Sequence, residues 1–240
     1  MNRGMAGGRG KRKRTPEEEV AKLERDIVEK ERALNDWIPK TELGRLVKVG
    51  KINSIDEIFD KGYKIMEPEI VDLLLKLDAE TVEISKTTRV VLSGRKFSYR
   101  ATVIVGNKDG YIGIGTGKDA DRFPAAIKAT RDAKLNIKRI FRGSGSWEEQ
   151  ATEGKHSIPF KVTGECGSVR VRLMPAPKGT GLAVGKNIQS VMILAGVKNV
   201  WGKTEGRSAI RLNFVRAALD ALEQTGRVKS SKDIERKLSK

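Results

Sequence analysis

Two glycine-rich runs and a lone histidine are the places where this chain has residues spaced for chemistry. Gly113-Ile114-Gly115-Thr116-Gly117-Lys118 has the outline of a phosphate loop. Such a loop needs a glycine, four residues, then Gly-Lys-Ser/Thr, so that backbone N–H groups and the lysine converge on phosphate oxygens. Ile112 stands where the first glycine would be, and Asp119 follows Lys118. The dinucleotide-binding pattern is excluded too, because Lys118 occupies the position of its third glycine. Glycines at period two instead strip one face of a strand of side chains, which lets another backbone approach. That backbone belongs either to a nucleic acid or to a helix of the same domain. The second run, Pro175-Ala176-Pro177-Lys178-Gly179-Thr180-Gly181-Leu182, sits between a predicted strand and a predicted helix. Backbone N–H groups at a helix start attract anions and Lys178 adds charge, so a phosphate contact is expected there, with a plain tight turn as the alternative. His156 is the one histidine and Cys166 the one cysteine. As a lone histidine outside any acidic or nucleophilic constellation, it reads as a hydrogen-bonding loop residue. One cysteine forms no internal disulfide, and the two residues cannot close a tetrahedral zinc site. No catalytic residue, metal ligand or cofactor site is assigned.

Charge points to a partner. The 240 residues include 48 Lys and Arg against 31 Asp and Glu, a formal net charge of +17. Such an excess destabilises a compact chain by self-repulsion unless a polyanion offsets it. No stretch approaches the ~18 apolar residues of a membrane span, and Met1-Asn2-Arg3-Gly4 opens no signal core. Nucleic acid is therefore the expected partner and a membrane is not. The candidate contacts are Lys11, Arg12, Lys13 and Arg14 in a segment expected to order only on RNA; Arg95, Lys96 and Arg100 along a strand; Lys108 in a hairpin loop; Lys118 beside the glycine strand; Arg142, Trp147, Lys155 and His156 around a second loop; and Lys178. Trp147 either stacks on a base or wedges between domains. Phe97 and Tyr99 alternate with cations, so they are expected to face the core and not to stack on bases.

The elements that must position these residues follow from periodicity. Residues 1–50 read as a basic disordered segment followed by a charged helix, in which Thr15, Pro16 and Glu18 form a start signal. Residues 51–86 read as a short helical appendage, with a capping box at Ser54–Glu57 and a helix opened by Pro68. Residues 87–141 begin with period-two alternation through Val105, turn at Asn107–Gly110, continue as a strand to Lys118, and end in a helix with Phe123, Ala126, Thr130, Ala133 and Ile137 toward the sheet. Lys128, Arg131, Lys134 and Lys138 form a basic stripe on that helix. Residues 142–155 are an interdomain loop, 156–226 a second α+β domain of ββαβα order, and 227–240 a basic tail. The fold class is α+β, with two tandem domains.

Several runs carry a specific resemblance: Ala101-Thr-Val-Ile-Val-Gly-Asn-Lys-Asp-Gly110, Gly145-Ser-Trp147, His156-Ser-Ile-Pro159, Lys161-Val-Thr-Gly164, Cys166-Gly-Ser-Val169 and Pro175-Ala-Pro-Lys-Gly-Thr-Gly181. With Thr41–Gly44 and Ile52–Ile55 upstream, the chain resembles the fifth small-subunit ribosomal protein family in its archaeal and eukaryotic form. The resemblance implies a first domain like a double-stranded-RNA-binding domain. It also implies a second domain shared with a group of small-molecule kinases, with a left-handed βαβ connection against the usual rule. It implies a structural, cytoplasmic role in the ribosome. The chain would bind small-subunit ribosomal RNA near the decoding side and messenger RNA where it enters, with the third and fourth ribosomal protein families as neighbours. Some relatives carry cysteines in the 144–152 loop; Ser144 and Ser146 stand here, so no metal site is carried over. A kinase would need Ser-Ser after the glycines, where Leu182 and Ala183 follow. A free regulator of double-stranded RNA is the remaining alternative.

Overall fold

The computed structural model describes residues 37–143 and 155–227. Lys11, Arg12, Lys13 and Arg14, the helix start at Thr15, Trp147 and nearly all of the C-terminal tail lie outside the described residues. Three short helices come first: α1 (Glu42–Lys48), α2 (Ile55–Asp60) and α3 (Pro68–Leu74). Thr41 caps α1 by accepting a hydrogen bond from the Gly44 N–H at 3.1 Å. Pro68 opens α3, where its missing N–H goes unneeded. At Ser54 the capping box takes another form: its hydroxyl donates to the Glu57 carboxylate at 2.9 Å, and no side chain caps the backbone.

The first sheet runs β1 (Asp78–Val91), β2 (Gly94–Gly106), β3 (Tyr111–Asp119) and β4 (Ile137–Arg139), antiparallel and in that order. β1 reaches back to Asp78, so residues 78–86 belong to the sheet and not to the appendage. Helix α4 (Arg122–Leu135) lies on one face. A methyl group placed on Gly115 would stand 2.1 Å from the Ala133 nitrogen, and one on Gly117 would stand 2.3 Å from the Ala125 oxygen. The helix of the same domain therefore occupies the glycine face. It sits so close that only Ala125, Ala129 and Ala133 fit beneath it. Phe123, expected to point inward, is 85% exposed for that reason.

The second sheet has the order β5-β6-β8-β7, from β5 (Val162–Cys166), β6 (Val169–Pro175), β7 (Leu182–Ala183) and β8 (Val200–Glu205). Helix α5 (Lys186–Ala195) joins the parallel neighbours β7 and β8, and α6 (Arg211–Gly226) follows. The order is the expected ββαβα with the short β7 added. Val162, Val171 and Leu173 are buried, as are Ala217, Ala218, Ala221 and Leu222 of α6.

The two sheets share a core. One apolar cluster joins Ile104, Ile112, Ile114 and Ile140 of the first domain to Leu173, Ile188, Met192 and Leu194 of the second. Across the seam Lys108 N–H donates to Leu194 O at 2.9 Å, and Phe141 N–H donates to Thr225 Oγ1 at 3.1 Å. So α4 covers one face of the first sheet and the second domain covers the other.

Candidate nucleic-acid interface

That double cover stops part-way along β2. Strand β3 pairs with β2 only between Tyr99 and Gly106, whereas β1 and β2 continue together to Val91 and Gly94. The excess projects as a two-stranded arm, roughly 16 Å long at about 3.3 Å per residue. Alternation sorts its side chains onto two faces. One face carries Ser85, Thr87 and Arg89 on β1 and Lys96, Ser98 and Arg100 on β2, and Lys118 of β3 lies beside Arg100. Thr87 and Ser98 pair through their hydroxyls at 2.8 Å. Arg89 stands opposite Lys96, and Arg100 opposite Lys118. Like charges opposite each other in a sheet are destabilising. All four are exposed, and none has an ion pair among the described residues. Among the described residues no acidic partner relieves this charge excess.

The other face carries Lys86, Arg95, Phe97 and Tyr99. Phe97 is 46% exposed, contrary to the expectation that it faces the core. The core beneath β2 ends at Ala101; beyond it Tyr99 is half-buried and Phe97 more open. The Lys86 ammonium lies 3.7 Å from the Phe97 ring centre, and the Arg122 guanidinium 5.3 Å from that of Tyr99.

Several cations on the body of the molecule are neutralised by acidic neighbours. Lys108 pairs with Asp78 at 2.5 Å, Lys128 with Asp119 at 2.7 Å, Lys134 with Asp72 at 2.7 Å, and Lys138 with Glu223. Arg139 reaches Asp56 at 3.3 Å. The stripe expected on α4 is thus largely consumed within the protein. The hydrogen bond from Lys128 holds Asp119 below the usual carboxylate range, helped by the Ala120 N–H. Burial pushes Glu223 up, but Lys138 and Arg227 outweigh it and leave it low. Burial, then the hydrogen bond to Asp56, raises Tyr111 above the ordinary phenol.

Around the second loop the cations have structural partners. Arg142 donates to Asp109 and to the carbonyls of Gly196 at 3.3 Å and Lys108 at 3.4 Å. His156 is buried, its Nδ1 2.9 Å from the Asn199 side-chain nitrogen. Lys155 lies 5.8 Å from the Phe141 ring centre. Lys108, Arg142, Lys155 and His156, with Leu182, Ile193 and Lys198, line a cavity of about 770 Å³. Lys178 is exposed in the turn after β6, where the Thr180 N–H donates to Pro177 O at 3.3 Å. Gly179 and Gly181 take φ of +91° and +70°, which the turn requires. The expected helix-start cradle does not form. Strand β7 intervenes before α5, whose N-cap is Gly185, and the Gly181 N–H donates to Asn199 Oδ1 at 2.9 Å.

Of the nominated residues, the fold brings Lys96, Arg100 and Lys118 onto one face, puts Arg95 on the opposite face, and separates both groups from the loop cations. Sequence reasoning missed Arg89, which completes the cationic face. The period-two polar run Ser85, Thr87, Arg89 ahead of Gly94 was its signal.

Family models match both domains: "Ribosomal protein S5, N-terminal domain" over residues 77–141 and "Ribosomal protein S5, C-terminal domain" over residues 164–237. The class defined is a two-domain ribosomal protein. Among curated relatives, small ribosomal subunit protein uS5 of Methanothermobacter thermautotrophicus is 49% identical over 199 residues, covering 82% of this chain and 92% of the relative. The uS5 of Saccharolobus solfataricus is 48% identical over 206 residues, covering 85% and 95%. The chain belongs to the ribosomal protein S5 family. Like that family it is structural and not an enzyme.

Proposed function

We propose that this constituent of the small ribosomal subunit holds ribosomal RNA chiefly through the cationic face of the β1–β2 arm. The observation that carries the reading is the placing of Arg89 opposite Lys96 and Arg100 opposite Lys118, all exposed and without acidic partners among the described residues. RNA phosphates supply the missing anions, and release of their counterions drives binding. Hydroxyls of Ser85, Thr87 and Ser98 interleave with the cations and suit sugar and phosphate oxygens. The paired cations of the body serve the fold in this reading. Lys11, Arg12, Lys13, Arg14, Trp147 and Lys178 add contacts beyond the arm. Neighbours from the third and fourth ribosomal protein families, a place near messenger RNA where it enters, and an influence on decoding accuracy follow from the family resemblance.

The test is a salt titration of binding to a small-subunit RNA fragment by wild type, Arg100→Ala and Lys118→Ala, with thermal melts alongside. Each substitution should reduce the log–log salt slope by about one unit. It should weaken different RNA sequences of one shape equally, because phosphates carry no base identity. Unchanged slopes with intact melts would remove the arm from the binding surface.

A further inference from the structure

The cationic face accounts for half of the arm, and its opposite face carries a different chemistry. There Phe97 and Tyr99 follow each other at period two, flanked by Arg95 on the same strand and Lys86 on its partner. Phe97 is 46% exposed, outside the apolar core. Lys86 and Arg122 hold their charges against the two rings, 3.7 Å and 5.3 Å from the ring centres. Phe123, next to Arg122, is 85% exposed. A hydrophobic residue left this open on a charged arm gains nothing from the fold it belongs to.

We infer that this aromatic face is a stacking platform for unpaired RNA bases, resting on the reading that the opposite face holds RNA phosphates. Three features select a base over an apolar protein surface. Cations alternate with rings, so a strand of nucleotides can set its bases on the rings and its phosphates on Lys86, Arg95 and Arg122. The rings come in succession on one strand face, about 7 Å apart along the chain direction. The acidic group nearest them by register, Asp119 opposite Tyr99, is already paired to Lys128. An apolar protein partner would have to bury those three cations, at a cost that a phosphate-bearing partner avoids. The arm thus separates two readouts: phosphates on one side, unpaired bases on the other.

The experiment titrates the full chain with two RNA probes, a blunt duplex and the same duplex with a single-stranded tail containing 2-aminopurine. Wild type should bind the tailed probe more tightly and quench the 2-aminopurine by stacking. Phe97→Leu keeps the apolar bulk and removes the π face. It should weaken the tailed probe about tenfold and abolish the quench, while leaving the blunt duplex and the salt slope unchanged. Phe97→Trp should restore tailed binding. The inference is overturned if wild type binds both probes alike without quenching, if Phe97→Leu behaves as wild type, or if it weakens both probes equally. Loss of the cationic-face reading would appear elsewhere, as an Arg100→Ala salt slope unchanged on the blunt duplex.

Discussion

From Ala101 to Val105, β2 lies under α4, and Ala101, Val103 and Val105 are at most 2% exposed. From Arg95 to Ser98 the same strand keeps the same alternation and pairs with β1 alone, with no third strand beside it. The chemistry of the neighbours divides accordingly. Beneath α4, Gly113, Gly115 and Gly117 face Ala125, Ala129 and Ala133, and side-chain volume has been removed until two backbones almost touch. On the arm, volume and charge are abundant and no apolar core forms over them. The inner half is specified by the fold itself. The outer half has cations and an aromatic ring that no acidic group or core among the described residues takes up.

The sharpest break of this comparison is Gly115→Val. A Cβ there would meet the Ala133 nitrogen at 2.1 Å and the Ala129 oxygen at 2.2 Å, and both are backbone atoms that cannot swing aside. Overpacking costs about 1–3 kcal/mol where side chains yield, and more where backbone must move. The expected result is a melting point lowered by ten degrees or more, or no soluble protein. A melt like that of wild type would mean that α4 is not seated on the glycines. Next in size is the pair Ile104→Ala and Phe97→Ala. Ile104 is fully buried at the seam between the domains, so its truncation should cost about 2–5 kcal/mol in denaturant unfolding. Phe97→Ala should fall within about 0.5 kcal/mol of wild type. Equal losses would erase the distinction between body and arm.

The smallest effect concerns Glu223, which ties α6 to Lys138 of β4. Its folded pKa is depressed, so the stability it contributes is present above the unfolded carboxylate value of about 4.3 and is lost as pH falls through the lower folded value. The pair is partly exposed and contributes at most about 1 kcal/mol. Glu223→Gln should therefore melt slightly below wild type at neutral pH and converge with it in acid. A gap that widens on acidification would reverse the sign of the coupling.

Much of this was legible in the sequence, and the gaps have physical causes. Alternation through Val105, the turn at Asn107–Gly110 and the family's motifs located both domains and the order of their elements. Alternation tells which residues share a face, but not what covers that face, and so it points Phe97 toward a core that ends at Ala101. The arm exists because β2 outruns β3, a register that depends on how the hairpin closes. Phe123 pointed inward on helical spacing alone. The glycine strand decided otherwise, because it admits only alanine under α4. The neutralised stripe on α4 was hidden for another reason: Asp72 and Glu223, which pair with Lys134 and Lys138, are remote in sequence.

The most direct measurement compares two quadruple variants in the same salt titration against one small-subunit RNA fragment. One replaces the unpaired arm cations Arg89, Lys96, Arg100 and Lys118 with alanine. The other replaces the paired body cations Lys108, Lys128, Lys134 and Lys138. The account predicts that the arm variant loses about three to four units of salt slope and keeps its melting point. The body variant should keep its slope and melt slightly lower, since exposed ion pairs contribute little each. A body variant that loses the slope while the arm variant retains it would contradict the assignment of RNA to the arm.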